Sequence, residues 1–278
     1  MKNKILKIAV GLFSILSLVS IAACATTVSP AEATAEPVME ESIVEDAAVE
    51  ESVEEESDEA INDFTIVDEE GNTDIDNEAL HEHIVQDPDA ELNEIEIEGL
   101  LFMREEEKLA RDVYLTLYDI WQMNIFQNIS RSEQTHTEAI KVLLDQYGLQ
   151  DPMSTDEVGV FENQELQALY DDLVATGSQS LQDALLVGAA IEEIDILDLE
   201  EYIGLTDNVD LQTVYGNLTK GSRNHLRSFV SVYEKQTGET YAPQYLTTDA
   251  YDAIIESAME TSGQGKNGGG NGHGNGNN

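Results

Sequence analysis

Glu133 and His136 stand three residues apart in SRSEQTHTEAIKVLL, residues 130–144, and so share one face of any helix that forms there. Ile129, Ile140, Leu143 and Tyr147 continue that face in alternating steps of four and three, the spacing of a buried helical stripe. A carboxylate and an imidazole inside an apolar seam can chelate a cation. Hard oxygen donors with imidazole nitrogen suit iron, manganese or zinc.

Three other segments repeat the arrangement. One seam runs through Leu100, Met103, Glu107, Ala110, Tyr114, Leu117 and Trp121. A second runs through Leu181, Leu185, Gly188, Glu192, Asp195, Leu199 and Tyr202, and a third through Leu211, Tyr215, Leu218, Ser222, His225, Phe229 and Val232. Each is apolar at its ends and polar at one level. Four helices packed seam to seam therefore enclose one polar layer: Glu107, Glu133, His136, Glu192, Asp195 and His225.

Energy limits what that layer can be. An unpaired buried ion costs several kcal/mol even after relaxation, and a whole domain is stable by only about 5–15 kcal/mol. No lysine or arginine lies on the four stripes. Protonation could compensate, but a bound pair of dications does so best. The competing reading is a hydrogen-bonded polar layer, in which His225 alone would be a satisfied core histidine.

The elements that must position these residues read as helices. They are expected over 97–121, over 128–147 with a stop at Gly148 and Pro152, over 180–203 with Ser180 as N-cap, and over 207–235. A short amphipathic helix at 163–176 lies between the second and third, and a last short helix follows an extended crossing after residue 238. No strand run competes. The expected fold is an all-α four-helix bundle with an extra short helix between the second and third long helices, in one domain over 95–261.

The remainder of the chain is not expected to join that domain. Residues 1–24 carry a basic start, an apolar run and small residues ending in Cys24, the pattern of a secretory signal peptide. IAAC resembles the bacterial lipobox, which implies lipidation at Cys24, export, and anchoring to the outer face of a membrane. Residues 25–94 are acidic and poor in large apolar side chains, so a disordered tether is expected. In it His81 and His83 are read as solvated. Residues 262–278 form a Gly/Asn-rich tail. Of the 278 residues, 57 are acidic and 13 basic, a formal net charge of −44. Nucleic acid and anionic head groups need a positive surface and are disfavoured as partners, whereas cations are favoured. A homo-oligomer is compatible with the sequence.

EKLARDVY (107–114), EQTH (133–136) and EEID (192–195) resemble the ligand motifs of rubrerythrin-type members of the ferritin-like superfamily. LLFMREEEKLARDVY, GVFENQELQALYDDL and GSRNHLRSF more closely resemble the ferritin-like family DUF2202. The resemblance implies a four-helix bundle with a dinuclear metal site, iron before manganese or zinc, and no established reaction. It also implies Glu-x-x-His on the fourth helix, where this chain has Ser222 before His225. Asp195 is the candidate replacement. In REEEK, Glu107 fits both its seam and the spacing to Tyr114, and is preferred over Glu106, which fits a seam through Phe102, Leu109 and Val113. Tyr114 is placed to hydrogen-bond a ligand carboxylate from behind. The functions expected are redox chemistry with oxygen or peroxide, metal sequestration without turnover, or a surface interaction module.

Overall fold

The structure, a computed structural model, describes residues 62–84 and 91–262. The expected signal peptide with Cys24, most of the expected tether and the Gly/Asn-rich tail lie outside the described residues. In chain order the elements are strands β1 (Thr65–Val67) and β2 (Thr73–Ile75), then helices α1 (Asn77–His83), α2 (Glu94–Trp121), α3 (Asn124–Gln146), α4 (Gln164–Gly177), α5 (Leu181–Ile203), α6 (Val209–Thr237) and α7 (Thr248–Glu256).

The long helices begin where their side chains cap them. Asn93 and Glu96 form a capping box on α2, Ser180 accepts from the Asp183 amide, and Asn208 accepts from Asp210 and Leu211. Gln122 and Gly238, at φ 52° and 73°, end α2 and α6 in the left-handed conformation. Helix α3 starts four residues before the expected position. Met123 makes no side-chain cap there; burial of Phe126 and Ile129 draws the uncapped turn into the helix.

Helices α2 and α3 pair, as do α5 and α6, and the pairs pack α2 on α5 and α3 on α6. Tyr147 at the end of α3 reaches Asn208 at the start of α6, while Trp121 at the end of α2 donates to Gly177 just before α5. Helix α5 therefore runs parallel to α3, and residues 148–180 return the length of the bundle, with α4 lying on α2 and α5. The result is an all-α helical bundle with one long crossover. Its interior is two apolar clusters. One holds Val113, Phe126, Ile129 and Phe229; the other holds Leu100, Met103, Ile140, Leu143 and Leu218. The polar level of all four seams lies between them.

Residues 62–84 differ from the expected tether. They form an antiparallel hairpin, with Thr65 opposite Ile75 and Val67 opposite Thr73, followed by α1. Strand β2 packs on α3 and α6 as a strap. Its hold is mostly polar: Phe64 N donates to Asn217 at 2.7 Å, Ile75 N donates to Thr135 Oγ1 at 2.8 Å, and Lys220 pairs with Asp63 at 2.6 Å. Ile75, Leu80 and Ile84 add a small apolar seal. Strands of three residues show no alternating pattern, and partners distant in sequence stabilise them. His81 and His83 lie exposed at the end of α1. Among the described residues, no helix is long and apolar enough to cross a membrane.

Candidate metal centre

Glu107 of α2, Glu133 and His136 of α3, Glu192 and Asp195 of α5, and His225 of α6 are all buried at one level. Five of them gather into two groups that share a carboxylate. Glu107, Glu133 and His136 each place a donor atom within 4.8 Å of the others, and so do Glu133, Glu192 and His225. His136 Nδ1 lies 3.1 Å from Glu133 Oε2 and 3.4 Å from Glu107 Oε2. His225 Nδ1 lies 2.8 Å from Glu133 Oε1 and 3.5 Å from Glu192 Oε2. The imidazoles stack, their centroids 5.4 Å apart.

The donor chemistry of each group could hold a cation. Both Glu107 oxygens, Glu133 Oε1 and the Nδ1 atoms of both histidines are buried without a well-formed hydrogen bond. Buried donors without partners are costly unless something else satisfies them. The far side of each ring is engaged. His136 Nε2 donates to Thr73 O at 2.9 Å, which leaves Nδ1 as the ring atom that faces Glu107 and Glu133 and that a cation would take in place of a proton. Thr73 N donates to His225 Nε2 at 3.3 Å. Gly221 leaves space for the first ring, since a Cβ there would lie 2.6 Å from His136 Cε1. Tyr114 OH donates to Glu192 Oε1 at 2.6 Å, the support from behind that its spacing suggested.

Asp195 stands apart from both groups. Ser222 Oγ donates to its Oδ2, and its Oδ1 is buried without a partner. Asp195 and Ser222 thus occupy the corner where the fourth-helix carboxylate was expected. Glu106 also faces away from the cation groups. It pairs with Asp198, and the two are buried together with one oxygen each unpartnered.

Charge in the layer is divided unevenly. Burial raises the Glu107 pKa to about 8, with Glu133 adding to the shift and His136 opposing it. Burial also opposes ionisation of Glu133, but the imidazoles of His136 and His225 outweigh it and hold that carboxyl well below its usual range. Glu192 and Asp195 are raised, by burial first and by neighbouring carboxylates second. For His225, burial disfavours the imidazolium while Glu192 and Glu133 push its pKa up to about 9. The Thr73 amide opposes that charge, because a protonated Nε2 would face it as a second donor. Carboxylates at 2.8 and 3.5 Å outweigh one peptide dipole at 3.3 Å. Without a cation, Glu133 is the ionised member between two imidazoles.

Other buried ions brace the frame. Lys108, fully buried, pairs with Asp112 and donates to the carbonyls of Glu157 and Val160, fastening the crossover. Glu105 accepts from the amides of Glu162 and Asn163. Glu193 accepts from the amides of Gln244, Tyr245 and Leu246 and from Tyr241 OH. Arg104 pairs with Asp151, and Arg223 and Arg227 pair with Glu260. Arg111 reaches exposed Asp156, and also buried Asp112. Asp198 was legible, standing three residues after Asp195 and four before Tyr202 on one stripe. The other buried acids lie off the seams, and only loops distant in sequence explain them.

The relatives share this region. A protein designated MJ0754, from Methanocaldococcus jannaschii, is 52% identical over 179 residues, 64% of this chain and 96% of its own length. The crystal structure of hypothetical protein MJ0754, given as from Methanococcus jannaschii, superposes with a TM-score of 0.61 at 53% identity, covering 62% of this chain and 98% of that one. A family model described as an uncharacterized protein domain, DUF2202, matches residues 96–258, which contain all six residues of the buried layer. The chain belongs to the DUF2202 family.

Proposed function

We propose that this protein holds a dinuclear non-haem metal centre, most naturally iron, in a ferritin-like bundle. Glu107 and His136 would hold one ion and Glu192 and His225 the other, with Glu133 available to both. The observation that carries this reading is the shared Glu133 carboxylate, which belongs to two donor groups that each add one carboxylate and one imidazole Nδ1. Manganese or zinc fits the same donors.

Bound iron supplies one-electron redox chemistry toward oxygen or peroxide. The chain supplies the dry apolar walls on both sides of the layer, the Tyr114 hydroxyl that orients Glu192, and the Thr73 carbonyl that orients His136. The N-terminal pattern ending in Cys24 supports a lipid-anchored position for such a centre, outside the cytoplasm. Metal analysis of the chain, purified without affinity metals, tests the reading. Two ions per chain, lost in Glu133→Ala, are expected; a folded, metal-free wild type after anaerobic reconstitution would overturn it.

A second reading, metal binding without turnover, is favoured by one observation. Asp195 and Ser222 satisfy each other where another ligand carboxylate was expected. Oxygen consumption by the iron-loaded protein, present or absent, separates the two readings.

A further inference from the structure

The strap turns both backbone groups of one residue, Thr73, toward the centre. Thr73 is fully buried, and in β2 its amide and carbonyl both point away from β1 and toward α3 and α6. The carbonyl accepts from His136 Nε2 at 2.9 Å. The amide meets His225 Nε2 at 3.3 Å. An imidazole that binds a cation through Nδ1 carries its proton on Nε2 and needs an acceptor there. Thr73 gives His136 an acceptor. It gives His225 a donor.

We infer that Thr73 makes the two cation positions unequal, so that the Glu107–Glu133–His136 position fills first and more tightly, and the Glu133–Glu192–His225 position fills only against the Thr73 amide. This rests on the metal reading above and deepens it, assigning a positioning role to a strap that precedes the residues of the family match. Asn224 Nδ2 donates to Thr73 Oγ1 at 3.0 Å, and Ser132 Oγ to Asp74 Oδ1 at 2.7 Å, so the peptide is held from both helices and cannot turn freely.

The test is anaerobic titration of the full chain with Co²⁺, followed by visible absorption and calorimetry. Loss of a supporting hydrogen bond costs a metal ligand about 10–100-fold in affinity, so two steps at least tenfold apart are expected. Repulsion between two cations can also separate the steps, so variants assign them. His225→Ala should leave the tight step intact and His136→Ala should abolish it. Thr73→Pro removes the amide hydrogen and keeps the carbonyl; the tight step should stand while the weak one strengthens about tenfold. Thr73→Val loses the same hydroxyl as Thr73→Pro but keeps both peptide groups, so it measures the side chain's share, and its weak step should not strengthen.

Equal steps in wild type would overturn the inference. So would a weak step unmoved in folded Thr73→Pro, or a tight step that His225→Ala weakens as much as His136→Ala does. The histidine variants carry the test if Thr73→Pro does not fold. Failure of the metal reading itself looks different: no Co²⁺ step in wild type, or one that Glu133→Ala retains.

Discussion

Glu133 Oε1 lies 2.8 Å from His225 Nδ1, joining α3 to α6 across the bundle, while its other oxygen faces His136 one turn along its own helix. One carboxylate thus serves two imidazoles, and the centre has a hub rather than two independent halves.

The hub predicts unequal losses. Glu133→Ala should abolish binding of both ions, whereas Glu107→Ala and Glu192→Ala should each cost one. Mass spectrometry of metal content in the three folded variants checks this. Equal loss in all three would show that no single carboxylate bridges.

Metal uptake should release protons. With its pKa near 8, Glu107 is mostly neutral at pH 7, and a cation must displace its proton. Apparent affinity should rise by about tenfold per pH unit for each proton released, with the slope easing as pH passes the Glu107 value near 8 and again past the His225 value near 9. Calorimetry in buffers of different ionisation enthalpy counts the protons; Glu107→Gln should release one fewer.

The Glu106–Asp198 pair should make the metal-free protein less stable as pH rises. Burial raises the Asp198 pKa from 3.8 to about 7. The folded state therefore holds a proton that the unfolded state has lost. This contribution is complete below 3.8, declines across the interval and is gone once pH passes the folded value. A tenfold difference in proton affinity between the folded and unfolded states corresponds to about 1.4 kcal/mol. Asp198→Asn should flatten the decline and leave the variant more stable than wild type at pH 8, by about 1–3 kcal/mol. Urea unfolding across pH 4–8 measures it.

Gly221→Ala should disturb the centre from outside it. The new Cβ would lie 2.6 Å from His136 Cε1 and 2.8 Å from Nε2, forcing the ring off the Thr73 carbonyl. Overpacking of this kind costs about 1–3 kcal/mol. The variant should stay helical by circular dichroism and lose metal affinity at the His136 position. Unchanged affinity would show that the ring is free to move.

Much of this was readable from single residues. Glu107, Glu133, His136, Glu192 and His225 interrupt apolar stripes at one level, and helical periodicity alone brings such positions together. Glu107 could be preferred over Glu106 because each belongs to a different stripe, and the structure turns the second toward Asp198. The buried Lys108–Asp112 pair was not readable in this way. An i, i+4 ion pair looks the same on paper whether solvent or a returning crossover covers it.

The sequence by itself determined the helices, the level of the polar layer and most of its members, because these follow from local capping and a period that side chains impose on their own helix. Only the tertiary structure decided that Glu133 is shared, that Asp195 turns to Ser222, and that a hairpin drawn from an acidic segment closes the centre. Those outcomes depend on which groups meet across elements. Thr73 shows this most plainly. Its side chain carries no signal, and what matters is a backbone whose N–H and C=O face two different histidines.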